Sequence, residues 1–115
     1  MSMTPRDMVV LAGRALTGTE DWAKPLARAL GAHHPNGPRE SIDPRSVSRW
    51  RTGVMEVLPW ALEALPLILR ERAGVLDEEI ARLEERADEM SEAAIEIERE
   101  LEELQEPPEP PEPRP

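Results

Sequence analysis

Apolar residues recur three and four positions apart along most of this chain, and that spacing predicts an all-α protein. Thr4-Pro-Arg-Asp7 reads as a helix start, a hydroxyl cap with an acid at the third helical position. Met8, Leu11, Ala12, Ala15 and Leu16 follow on one face, giving a first helix of about three turns. Leu26, Ala27 and Leu30 form the stripe of a second helix that Gly31 closes. Pro25 would remove an interior hydrogen bond, which places the start of that helix at Asp21 or Trp22. Asp43-Pro44 through Gly53 reads as a third helix, with Asp43 as cap, Pro44 where a missing N–H costs nothing, and Gly53 as the left-handed stop. Within it Val47 and Trp50 share the buried face, leaving Arg45, Ser48, Arg49 and Thr52 on the other. A fourth helix follows between Val54 and Arg72. Pro59 suits its start and Pro66 predicts a kink or restart. Leu58, Ala61, Leu65, Leu67 and Ile68 exceed one thin stripe, so this helix is expected to be covered on more than one side. Trp22, Trp50 and Trp60, the chain's three aromatics, are assigned to the core.

The pattern changes near Leu69. Leu69, Ala73, Leu76, Ile80, Leu83, Ala87, Met90, Ala94, Ile97, Leu101 and Leu104 step alternately by four and three without a fault, which is a heptad seam. Such a stripe needs a partner helix, and the simplest partner is a second copy, so a homodimer is expected along a rod of about 50 Å. A parallel pair would stack Ala87 and Ala94 on their own copies and bring Glu79 to Glu84. An antiparallel pair that sets Ala73 against Leu104, Ala87 against Met90 and Ala94 against Leu83 packs small on large, although Asp77 then nears Glu98. The seam favours the antiparallel arrangement and leaves the parallel one open.

The seam divides the chain into a head over 1–68, an oligomerisation helix over 69–105 and an extended tail over 106–115. Charge divides it similarly. Residues 1–72 carry 10 Lys and Arg against 8 Asp and Glu, residues 73–115 carry 4 against 16, and the net charge of −10 therefore belongs to the second part. Read over the whole chain, that acidity would argue against nucleic acid; read by segment, it leaves a slightly basic head. The tail, Glu106 to Pro115, favours extended polyproline II, a solubilising segment that could also dock a protein partner. With no signal-like start, no membrane-length apolar run and no cysteine, the expected location is the cytoplasm. The residues offer no nucleophile–base pair and no phosphate-cradling loop, so neither enzyme activity nor a cofactor is expected.

Leu26-Ala27 through Leu30-Gly31, followed by Ile42-Asp43 through Val47-Ser48-Arg49-Trp50-Arg51-Thr52-Gly53, resembles the lambda-repressor-like helix-turn-helix family, over about residues 4–72. The resemblance implies a small helix-turn-helix head of four short helices plus a long C-terminal coiled-coil helix. It also implies double-stranded DNA as partner, with Pro44, Arg45, Ser48 and Arg49 facing bases and Arg51, Thr52 and Lys24 facing phosphates. The implied function is a dimeric sequence-specific regulator, a repressor of bacterial or phage type. The alternatives are a DNA-recognition subunit of a larger assembly, such as a phage small terminase, and a coiled-coil adaptor without DNA binding. One departure stands out: Ala32 to Ser41 are inserted where the family has a short turn. Two prolines and Asn36-Gly37 make this a surface loop, from which Arg39 could brush the DNA backbone. His33 and His34 raise a metal site, but without cysteine or a second His pair one chain cannot complete a tetrahedral set.

Overall fold

The computed structural model describes residues 2–105 and is all-helical across them. The helices are α1 (Pro5–Thr17), α2 (Ala23–Ala32), α3 (Pro44–Thr52) and α4 (Pro59–Leu104). The expected tail conformation over 106–115 lies outside the described residues. Two compact units divide at Leu76 and Asp77, so the first unit extends beyond the residue 68 expected for the head.

The start of α1 is fixed reciprocally: the Asp7 N–H donates to the Thr4 hydroxyl at 3.1 Å and the Thr4 N–H donates to the Asp7 carboxylate at 3.1 Å. These bonds hold the Asp7 carboxyl below its ordinary range, because they favour its ionised form. Gly18, at φ 71°, ends the helix by returning its N–H to the Arg14 carbonyl.

The core of the first unit joins Val9 and Ala12 of α1 to Trp22 and to Leu26, Ala27 and Leu30 of α2. Val47 and Trp50 of α3 and Ala61, Ala64, Leu65 and Ile68 of α4 complete it. Trp22, Trp50, Leu26 and Leu30 are its largest fully buried side chains, and each stabilises by about 2–3 kcal/mol when withdrawn from water. The Trp22 and Trp50 Nε1 groups find no acceptor among the described residues, a cost that the apolar area of the two indoles offsets. Gly13 is the complementary small residue, since a Cβ there would fall onto the Trp22 ring atoms. Trp60, assigned to the core with the other two, is half-buried.

In α1 the buried side is Val9, Ala12 and Gly13, while Met8, Leu11 and Ala15 of the expected face stand exposed. Three further expectations are corrected. First, α2 begins at Ala23, one residue after the later of its expected starts, and runs through Gly31 to Ala32. Gly31 is therefore not a left-handed cap. Its side is occupied by another backbone: a Cβ there would lie 2.7 Å from the Arg39 carbonyl oxygen and from the Ser41 Cα. Second, Pro66 does not restart the helix: α4 is continuous through it. The proline itself is exposed, away from the buried stripe of the helix. The fourth helix and the coiled-coil helix are consequently one element. Third, its buried side in the first unit is a single stripe of Ala61, Ala64, Leu65 and Ile68, while Leu58 and Leu67 stay exposed.

In the second unit the seam residues Ile80, Leu83, Met90, Ile97, Leu101 and Leu104 all stand open to solvent. Ala87 and Ala94 are exposed as well. In the first unit Leu69 packs against the core, whereas Ala73 and Leu76 are exposed.

Candidate nucleic-acid interface

α3 carries most of the residues that sequence reasoning singled out, and its ends are set by local chemistry. The Asp43 carboxylate accepts the Arg45 backbone N–H at 2.9 Å, Pro44 occupies the first turn, and Gly53 closes the helix at φ 79°. Val47 and Trp50 turn inward against α1 and α2. That leaves Arg45, Ser48, Arg49 and Thr52 exposed on the outer side, with Pro44 half-buried at its start.

The arginines differ in how they are held. The Arg49 side chain makes no hydrogen bond or ion pair among the described residues and is exposed. Arg45 folds back on its own cap: Nε donates to both Asp43 carboxylate oxygens, at 3.3 and 3.2 Å, and Nη2 lies 3.1 Å from Oδ2. This pairing holds the Asp43 carboxyl below its ordinary range and raises the Arg45 guanidinium above its own. Arg51 is the most engaged. Its guanidinium lies 5.1 Å from the Trp22 ring centroid, donates to the Glu20 carbonyl and carboxylate at 3.3 Å each, and is half-buried. Glu20 also takes Arg14 at 2.8 Å, and Arg6 of α1 donates to the Arg51 carbonyl at 2.6 Å. Arg51 thus ties α3 to the segment between α1 and α2, and its removal costs packing as well as charge.

Lys24 is exposed near the start of α2 and shares an open cleft of about 550 Å³ with Arg28, Arg51, Glu20 and Asp21. Arg28 was missed by the sequence reading, although it lies one helical turn beyond Lys24. Thr52 turns its hydroxyl back onto the Arg49 carbonyl at 3.2 Å and remains exposed.

The loop between α2 and α3 is pinned at several points. Its Arg39 N–H donates to the Gly31 carbonyl at 2.8 Å, and the Ile42 N–H to the Ala27 carbonyl at 3.0 Å. The Gly37 N–H donates to the His34 carbonyl, closing a turn around Pro35 and Asn36. His34 meets the Trp60 ring edge-on at 5.1 Å between centroids, and His33 Nε2 lies 3.3 Å from the Glu71 carboxylate. The histidines are therefore turned to α4, and among the described residues no group of three or more potential ligands gathers around them. The Arg39 side chain is exposed.

No protein-family model, no characterised protein and no solved structure matches the chain. Among the described residues no helix is long and apolar enough to cross a membrane.

Proposed function

We propose that this chain is a dimeric, sequence-specific DNA-binding protein of the cytoplasm, a transcriptional regulator of repressor type whose α3 enters the major groove. The observation that carries the proposal is the partition of α3, with Val47 and Trp50 in the core and Arg45, Ser48 and Arg49 outside on a helix capped at both ends. Arg49, unpaired, and Arg45, with part of its fork free, suit guanine O6 and N7 in that groove. Lys24, Arg28 and Arg39 supply phosphate contacts that set register without reading sequence. With residues 1–72 only slightly basic, one head binds weakly. Pairing two copies through the seam of α4 raises the effective concentration of the second head and gives the affinity that one lacks.

Selection from randomised duplexes with the full chain tests this reading. An enriched site built from two half-sites is expected, and Arg49→Ala should lower its affinity on the order of 10- to 100-fold while relaxing preference at particular base pairs. Absence of an enriched site, or an Arg49→Ala protein that binds it unchanged, overturns the reading. A coiled-coil adaptor without DNA binding is the competing reading, favoured by the carboxylates of Glu20 and Asp43 on two of the arginines. It expects self-association and no duplex binding.

A further inference from the structure

The contacts of Arg45 do more than neutralise it. A guanidinium has two edges on which it can present paired N–H groups, the side edge of Nε with one Nη and the end edge of Nη1 with Nη2. In this chain the side edge is spent: Nε donates to Oδ1 and Oδ2 of Asp43, and Nη2 lies against Oδ2. Nη1, and the Nη2 hydrogen that points away from the carboxylate, make no hydrogen bond among the described residues. The arginine is thus held at its base and open at its tip. Asp43 is itself held, because the same carboxylate caps α3 through the Arg45 backbone N–H at 2.9 Å. A three-residue sequence, Asp43 to Arg45, therefore joins helix start, carboxylate and guanidinium. By contrast Arg49, one helical turn on, has no such support.

We propose that Asp43 is a positioning residue for DNA recognition, presetting Arg45 as an end-on fork for a guanine in the major groove and rejecting the other bases at that pair. This rests on the DNA-binding reading of α3. Two consequences follow from the chemistry. Fixing the side chain before binding reduces the rotamer freedom lost on contact, so Arg45 discriminates sharply where a free arginine adapts to neighbouring acceptors. The carboxylate also lies close to the phosphate-rich surface that α3 approaches, so it weakens binding to all sequences and gains only where the guanine is present. Asp43 is a specificity device with a cost in general affinity.

The test uses the full chain and the variant Asp43→Asn, whose amide oxygen still accepts the Arg45 backbone N–H and keeps the cap, together with Arg45→Ala. Competition titrations against the selected duplex and its single-pair variants are expected to show Arg45→Ala losing discrimination at one G·C pair. Asp43→Asn should lose at least threefold of the discrimination at that same pair, keep it at the pairs read by Arg49, and bind random-sequence duplex more tightly than the parent. A merely structural role would instead weaken every sequence together with a fall in helicity, and that result overturns the proposal. So does unchanged discrimination at the Arg45 pair. A DNA-independent readout separates the failures. In the free protein the Arg45 Nε–H should give a resolved, exchange-protected NMR resonance that Asp43→Asn abolishes. Its absence in the parent removes the preset fork even if DNA binds, whereas its presence in a protein that binds no duplex overturns the DNA-binding reading and this inference with it.

Discussion

In the first unit Leu26 and Leu30 are fully withdrawn from water, whereas in the second Leu83 and Met90 are 62% and 58% exposed, although both pairs repeat at helical spacing. The difference lies in what faces each stripe. Leu26 and Leu30 meet Val47, Trp50 and Trp22, side chains brought back by turns and caps within the same chain. The stripe from Ile80 to Leu104 belongs to an unbroken helix, and one helix cannot fold onto itself. The first unit buries one side of its apolar pattern internally and leaves Met8, Leu11, Leu58 and Leu67 exposed; the second carries an equally regular pattern that stays exposed along its length.

Trp22→Ala should break the first half of that contrast most severely. It removes the side chain around which Gly13, Leu26 and Arg51 are arranged, and unfolding of the first unit followed by denaturant titration should show a loss of about 3–5 kcal/mol. Next in size is the seam. Leu83→Asp with Met90→Asp is expected to convert a self-associated chain into a monomer at micromolar concentration, measured by sedimentation, with the melting of the first unit unchanged. A full-length parent that is already monomeric, or a double variant that still associates, would mean that the exposed stripe is left bare by design.

Much of this was legible in the sequence because it depends on nearest neighbours. Thr4 with Asp7, Asp43 with Pro44, and Gly53 act within one helical turn, and the inward Val47 and Trp50 follow from their spacing. Legibility ended where distant segments meet. Gly31 resembles a helix stop by composition, yet its reason is the passing backbone of Arg39 and Ser41. Pro66 has the local signature of a break, but the buried stripe on either side, from Ala61 to Ile68, holds the helix together. At the candidate interface, the outward positions of Arg45 and Arg49 could be read from periodicity. Their different restraint could not, because it depends on which carboxylate each guanidinium meets, and the same holds for Arg51 on Trp22 and Glu20.

Smaller effects sharpen the comparison further. Gly74 lies in α4 with nothing within 4 Å of an added Cβ, so Gly74→Ala should stabilise the helix by about 0.5–1 kcal/mol, read as a higher melting temperature. The same substitution at Gly13 should destabilise. Acid gives the least effect. Asp7 and Asp43 titrate below their ordinary range in the folded chain, so their stabilising contribution is complete above that range and is lost as pH falls through the lowered values. Thermal melts from about pH 5 down to pH 2 should fall less steeply for Asp43→Asn than for the parent.

The loop before α3 also has a kinetic meaning. Its pins to α2, Arg39 to Gly31 and Ile42 to Ala27, join residues eight and fifteen positions apart, so closing them costs little chain entropy. The segment from α2 to α3 is therefore suited to form before α1 and α4 close over it. Gly31→Ala, which pushes a methyl group into that passing backbone, should slow refolding in stopped-flow measurements more than it speeds unfolding.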